Sequence, residues 1–227
     1  MKKTLLSLAL LAGITSAAQA QTGLKLGLKG GFNGSTFSGS DSKGSEYKAG
    51  FAAGGLINYG FSDLISVQGE LLYSQKGASI DNYDKNSSGS GFVQNTTFKS
   101  TLGYLDVPIL LKVTTGDAGK GLFFELGPQG SFVLHNRDFF QNGNDQTTAN
   151  TSTDALNKVV IGYAAGIGYQ ITSGFGLGIR YTGDISQVYK DNGTILLTAP
   201  GIALNVPSPN VHNSVFQFQV HYLFGGE

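Results

Sequence analysis

The 227-residue chain contains no cysteine and no tryptophan, has only 5 prolines, and sets 15 basic against 15 acidic residues. Without cysteine there is no disulfide framework, no thiolate metal site and no thiol nucleophile. A formal net charge of zero offers no concentrated basic face for phosphate, so no nucleic-acid partner is expected. Charged residues are 13% of the chain, about half the ~25% usual in soluble domains. After the N-terminal segment no apolar run approaches the ~20 residues that a membrane-crossing helix needs. Glycine is what the chain has in excess. Its 34 glycines follow no G-X-Y period, so collagen does not account for them.

Met1–Ala20 reads MKKTLLSLALLAGITSAAQA: two lysines, an apolar core from Leu5 to Ile14, then Ala18-Gln19-Ala20 as a cleavage box. This is the pattern of a secretory signal peptide, with an apolar core too short to span a bilayer. The expected organisation is a signal peptide over residues 1–20 and one mature domain over residues 21–227.

From Leu24 onward apolar residues recur at every second position, the period of a strand with two unlike faces. Leu24, Leu26 and Leu28 alternate with Lys25, Gly27 and Lys29. Tyr47 to Tyr59 and Ile65 to Tyr73 continue the pattern, the latter against Ser66, Gln68 and Glu70. Leu105, Val107, Ile109, Leu111 and Val113 oppose Tyr104, Asp106, Pro108, Leu110 and Lys112. Leu122 to Leu134 opposes Phe123, Glu125, Gly127, Gln129 and Ser131, with Phe123 an aromatic on the otherwise polar side. Val159 to Ile171, Phe175 to Ile185 and Phe216 to Phe224 complete eight segments. The connections alternate between long and short: residues 33–46, 75–99, 135–157 and 189–212 are long and polar, whereas 60–64, 114–120 and 172–174 are short. An antiparallel meander with all long loops on one rim and all short turns on the other predicts an eight-stranded, up-and-down transmembrane β-barrel in the outer membrane.

In each segment one face is bulky and apolar, and the other mixes Gly and Ala with isolated charges. A soluble barrel would carry its charges outside, so this inversion favours lipid outside and a polar lumen. The expected lumenal network is Lys25, Lys29, Lys112 and Arg180 pairing with Glu70, Asp106, Glu125 and Asp184, with His221 among them. Counting back from the short turns sets Lys112 opposite Phe123, Arg180 opposite Gly166 and Asp184 opposite Gly162. Tyr47, Tyr59, Tyr169, Phe175, Tyr222 and Phe224 are the expected interfacial girdle, Tyr47 at the outer edge and the others at the short-turn edge. Pro108 and Pro128 each remove a ladder donor, which predicts local bulges.

The stretch Tyr104-Leu105-Asp106-Val107-Pro108-Ile109-Leu110-Leu111-Lys112 resembles one found in PorT-like "porin family" outer-membrane barrels. Gly30-Gly31-Phe32-Asn33, Phe123-Phe124-Glu125-Leu126-Gly127-Pro128 and Tyr222-Leu223-Phe224 are similar to other stretches of that family. The resemblance covers essentially the whole mature chain and implies a barrel rather than a reaction; the secretion role of PorT itself does not transfer on these motifs.

Eight strands enclose a lumen that side chains fill. The leading expectation is therefore a non-enzymatic surface protein whose four polar loops serve surface interaction or envelope integrity. The alternatives are a narrow porin-like channel and a lipid A-modifying enzyme using His135 or His212 with Asp138 and Ser214 near the outer rim. No H-x-S pairing supports the enzyme. The three scattered histidines lack ligand spacing, so no metal or cofactor is expected. Expected partners are outer-membrane lipid and the barrel-assembly machinery, for a monomeric protein.

Overall fold

The computed structural model describes residues 23–80, 97–116, 120–142, 144–191, 193–199 and 202–224. The expected signal segment lies outside them. The elements are β1 (Leu24–Ser38), β2 (Ser45–Glu46), β3 (Lys48–Gly60), β4 (Ile65–Ile80), β5 (Thr97–Thr114), β6 (Gly121–Asn142), β7 (Asp145–Asn150), β8 (Val159–Gln170), β9 (Phe175–Asp184), β10 (Thr194–Ala199), β11 (Ile202–Pro207) and β12 (His212–Leu223). Eight of them, β1, β3, β4, β5, β6, β8, β9 and β12, pair antiparallel in chain order. β12 then pairs back onto β1, from Gly27↔Leu223 to Ser38↔His212, and closes the ring. Closure leaves no free edge within this eight-strand ring, the condition for a sheet to sit in hydrocarbon.

The period of two decides which side faces out. Phe32 is 74% exposed, Leu126 61% and Ile179 59%, whereas Arg180 is 2% and Glu70 4%. Burial is thus inverted relative to a protein dissolved in water, where charges lie outside. The apolar band ends together on neighbouring strands. Outward positions pass from Tyr73 to Gln75 on β4, from Leu105 to Gly103 on β5, and from Leu134 to His135 on β6.

Above this band the structure departs from the sequence expectation. β4, β5 and β6 run on as strands of 16, 18 and 22 residues, against 12, 10 and 12 for β8, β9 and β12. Residues 75–80, 97–99 and 135–142, expected in loops, belong to these extensions. The other expected loops carry strand as well: β1 runs on to Ser38, β2 pairs with β4, β7 pairs with the top of β6, and β10 pairs with β11 as a hairpin. Polar outward residues signalled a loop only because the strand had left the apolar band.

The expected bulges at Pro108 and Pro128 are not where the register shifts. Pro108↔Gln129 and Leu111↔Leu126 share one register, as do Gly69↔Ile109 and Leu72↔Asp106. The shift falls instead at Gly103/Tyr104, opposite Val133 and His135. One extra residue on β6 there exchanges its faces: Ser131 points inward below it, and Asn136 and Asp138 are buried above it. The prolines are accommodated by missing ladder bonds alone.

Candidate functional site

Arg180 on β9 crosses the lumen to the opposite wall. Its Nη1 and Nη2 donate to Glu70 Oε2 and Oε1 on β4 at 2.7 and 2.8 Å, a two-pronged pairing that fits the guanidinium fork. Its Nε donates to Glu125 Oε1 on β6 at 2.7 Å. Lys29 Nζ on β1 reaches Glu70 Oε1 at 2.5 Å, and the amides of Gln68 and Gln219 complete the acceptor sites on Glu70 and Glu125 at 2.6 and 2.7 Å. Five strands are thereby braced to one guanidinium–carboxylate centre with every side chain buried. Gly166, opposite Arg180, leaves the needed space, since a Cβ there would lie 2.7 Å from Glu125 Oε1.

Nearer the long-loop end, Lys76 Nζ donates to Asp106 Oδ1 at 2.9 Å and Ser131 Oγ at 3.0 Å, and lies 4.8 Å from the Tyr104 ring centroid. Asp184 faces Gly162 but accepts from Asn213 Nδ2 at 2.6 Å and, among the described residues, is in no ion pair. Toward the short-turn end, Lys112 Nζ and His221 Nε2 approach Gln170 Oε1 at 3.0 and 2.9 Å. An amide oxygen only accepts, so both nitrogens donate to it and the 3.5 Å Lys112–His221 contact is between donors. Lys112 also sits 4.1 Å above the Phe123 ring.

The structure brings Lys29, Glu70, Glu125 and Arg180 into one network and pairs Asp106 with Lys76, which lies in a stretch expected to be a loop. Lys112 lies directly opposite Glu125, not Phe123, because Thr114 and Gly121 extend the two strands into the turn and Thr115 N bonds Leu122 O at 2.8 Å. Lys112 is nonetheless paired with Gln170 rather than with a carboxylate, and Lys25 lines the short-turn mouth. Lys76 holds the next even position after Ser66, Gln68, Glu70, Leu72 and Ser74. Phe123 is fully buried in the lumen, filling space left by Gly168 and Gly178.

The expected girdle residues lie on the outside. Tyr59, Tyr169, Phe175 and Tyr222 are exposed at the short-turn edge, with Phe224 against Tyr222 at 5.4 Å between ring centroids. Tyr47 is exposed at the other edge, 6.4 Å from Phe216. That edge also holds Tyr181 against Phe216 at 5.1 Å, Tyr163 against Tyr181 at 6.1 Å, and Tyr73, whose hydroxyl meets His135 Nε2 at 2.9 Å. His135 crosses β5 to reach it over Gly103, where a Cβ would fall 2.2 Å from the ring nitrogen.

Over the long-loop mouth sits an apolar cluster: Leu102, Tyr104, Phe140, Ala149, Leu156, Val160, Val188, Tyr189, Ile195, Leu197 and Val211. Backbone bonds Asn157 N to Val188 O and Val188 N to Val211 O, each 2.9 Å, hold residues 188 and 189 across the opening. Burial, with Asp138 nearby, pushes the Tyr189 phenol above its usual range, so it stays neutral. His135 faces outward to Tyr73, His212 Nδ1 meets Ser186 O at 3.0 Å, Asp138 is held by Asn136 inside, and Ser214 meets the Tyr181 hydroxyl. These four do not converge into an acid–base site.

A closed eight-stranded barrel, apolar outside and ionic within, is the architecture of an outer-membrane protein. The family described as "Outer membrane protein beta-barrel domain" matches residues 18–189, and the chain belongs to it and resides in the outer membrane. No curated protein matches the chain. Among solved structures it is similar to Ail, the attachment invasion locus protein of Yersinia pestis, at 13% identity and a TM-score of 0.45, covering 90% of this chain and 100% of that one. Neisserial surface protein A is similar at 15% identity and a TM-score of 0.44, covering 87% and 96%. OprG from Pseudomonas aeruginosa follows at 13% identity and 0.42, covering 89% and 96%.

Proposed function

We propose that the protein is a closed, non-enzymatic surface barrel of PorT-like kind, exported by a cleaved signal segment and serving surface interaction or envelope integrity through the strand-built crown above its apolar band. The reading rests on one observation: the lumen is blocked twice in series. The Arg180–Glu70–Glu125 brace fills its middle, and the apolar cluster around Leu102, Tyr104 and Val188 fills its outer mouth. A solute would have to break buried ion pairs and pass an apolar plug, which opposes conduction on both electrostatic and packing grounds. Loops held on a rigid scaffold are the usual carriers of recognition. Its partners on this reading are outer-membrane lipid and, during biogenesis, the barrel-assembly machinery, with a monomer as the functional unit.

Purified protein reconstituted into planar bilayers is expected to give no stable conductance steps at moderate voltage. A reproducible ohmic channel would overturn the closed reading in favour of a narrow pore. Intact mass of the envelope-derived protein is expected to place its first residue at Gln21.

A further inference from the structure

The middle and short-turn parts of the lumen hold more positive than negative charge. Among the described residues, Lys29, Lys112 and Arg180 are buried there with two carboxylates, Glu70 and Glu125. Both carboxylates are already engaged by Arg180, Glu70 also by Lys29. Lys112, 3% exposed, has no carboxylate within 4.0 Å among the described residues; its hydrogen bond goes to a neutral amide oxygen shared with His221. A buried ammonium without an anion is costly.

Lys112 lines a cavity of about 380 Å³ at the short-turn mouth, together with Lys25, Asn58, Ser66, Thr114 and Gln170. Lys25 likewise has no carboxylate within 4.0 Å among the described residues. Asp63 lies in the turn at the rim and is the one acidic lining residue among the described residues, so their side chains set two lysines against one carboxylate. Short turns of such barrels face the periplasm.

We propose that this vestibule is a binding site for a small oxyanion of the phosphate class entering from the periplasm. Lys112 is its charged floor, Lys25 its outer cation, and the hydroxyls of Ser66 and Thr114 are the available donors around them, the Asn58 amide already donating to Ser66 Oγ at 3.0 Å and Gln68 Oε1 at 3.4 Å. A compact ion held between two ammonium groups needs only point charges and rotatable donors, which lysine supplies.

Titration calorimetry with inorganic phosphate, on protein in phosphatidylcholine nanodiscs, tests the site. Saturable binding is expected, weakened at least tenfold in Lys112→Met and severalfold in Lys25→Gln, and unchanged in Lys43→Gln, whose side chain is exposed at the opposite end. Should Lys112→Met fail to fold, Lys25→Gln carries the test, because it changes a residue at the mouth outside the bracing network. No saturable uptake, or equal uptake by wild type and both vestibule variants, would overturn the proposal. In discs containing phosphatidylglycerol, unchanged affinity supports a free ion. Competitive loss would reassign the site to a lipid headgroup phosphate and overturn the free-ion source.

Discussion

Replacing Arg180 with methionine is expected to lower stability by about 3 to 5 kcal/mol, the typical cost of removing one partner of a buried ion pair. The variant leaves Glu70 with Lys29 alone and strips Glu125 of its only ion-pair partner among the described residues. The cost arises because a carboxylate remains buried with its charge uncompensated, not because the pair was itself strongly favourable. The double variant R180M/E125Q, which retains the Lys29–Glu70 pair and neutralises the stranded acid, should therefore recover most of the loss. Urea titration of detergent-refolded protein, followed by far-ultraviolet circular dichroism, measures both. Equal midpoints for wild type and R180M would show that the brace contributes nothing, and equal losses for single and double variants would show that guanidinium packing, rather than charge balance, is what matters.

Gly168→Val is expected to be strongly damaging, with a loss near 3 kcal/mol or failure to refold. A Cβ at Gly168 would lie 2.3 Å from Phe123 Cζ and 2.4 Å from the Leu177 carbonyl oxygen. The ring could move only toward Lys112 and His221, which already touch it, and the carbonyl belongs to the neighbouring strand. Gly30→Ala is the matched control. Its nearest contact is the Ala52 carbonyl oxygen at 4.0 Å, so its midpoint should stay within about 0.5 kcal/mol of wild type. Heat-dependent migration on gels and the same urea titration distinguish the two. A folded Gly168→Val barrel of wild-type stability would mean that Phe123 does not require that gap.

These outcomes bear on how much of the molecule its sequence discloses. The ring of eight strands and the facing of each residue were legible because the period of two is imposed by backbone geometry, and a wrong register would turn Leu and Phe inward and Glu outward together. The partners of charges were less legible. Arg180 opposite Gly166 follows from counting back from a tight turn, but Lys112 opposite Glu125 depends on how far strands persist into residues 115–120. Lys76 was hidden for another reason: its outward neighbours Gln75, Gly77 and Ser79 are polar, and alternation loses its contrast once neither face meets lipid. The bulge at Gly103/Tyr104 left a trace only in the burial of Asn136 and Asp138, which composition alone does not reveal. The apolar plug was illegible because Val188, Ile195 and Val211 come from segments whose approach is set by tertiary packing.

The pairing of β1 with β12 has a temporal consequence. The two strands that meet at this seam are separated by nearly all the rest of the described chain, so their union cannot precede the synthesis of the final hairpin. Until then any partly assembled sheet presents two raw backbone margins, one at each flank, either of which could stitch to a stranger. Secure biogenesis of this cylinder thus amounts to chaperoning a long-lived open zipper whose last tooth is also its lock.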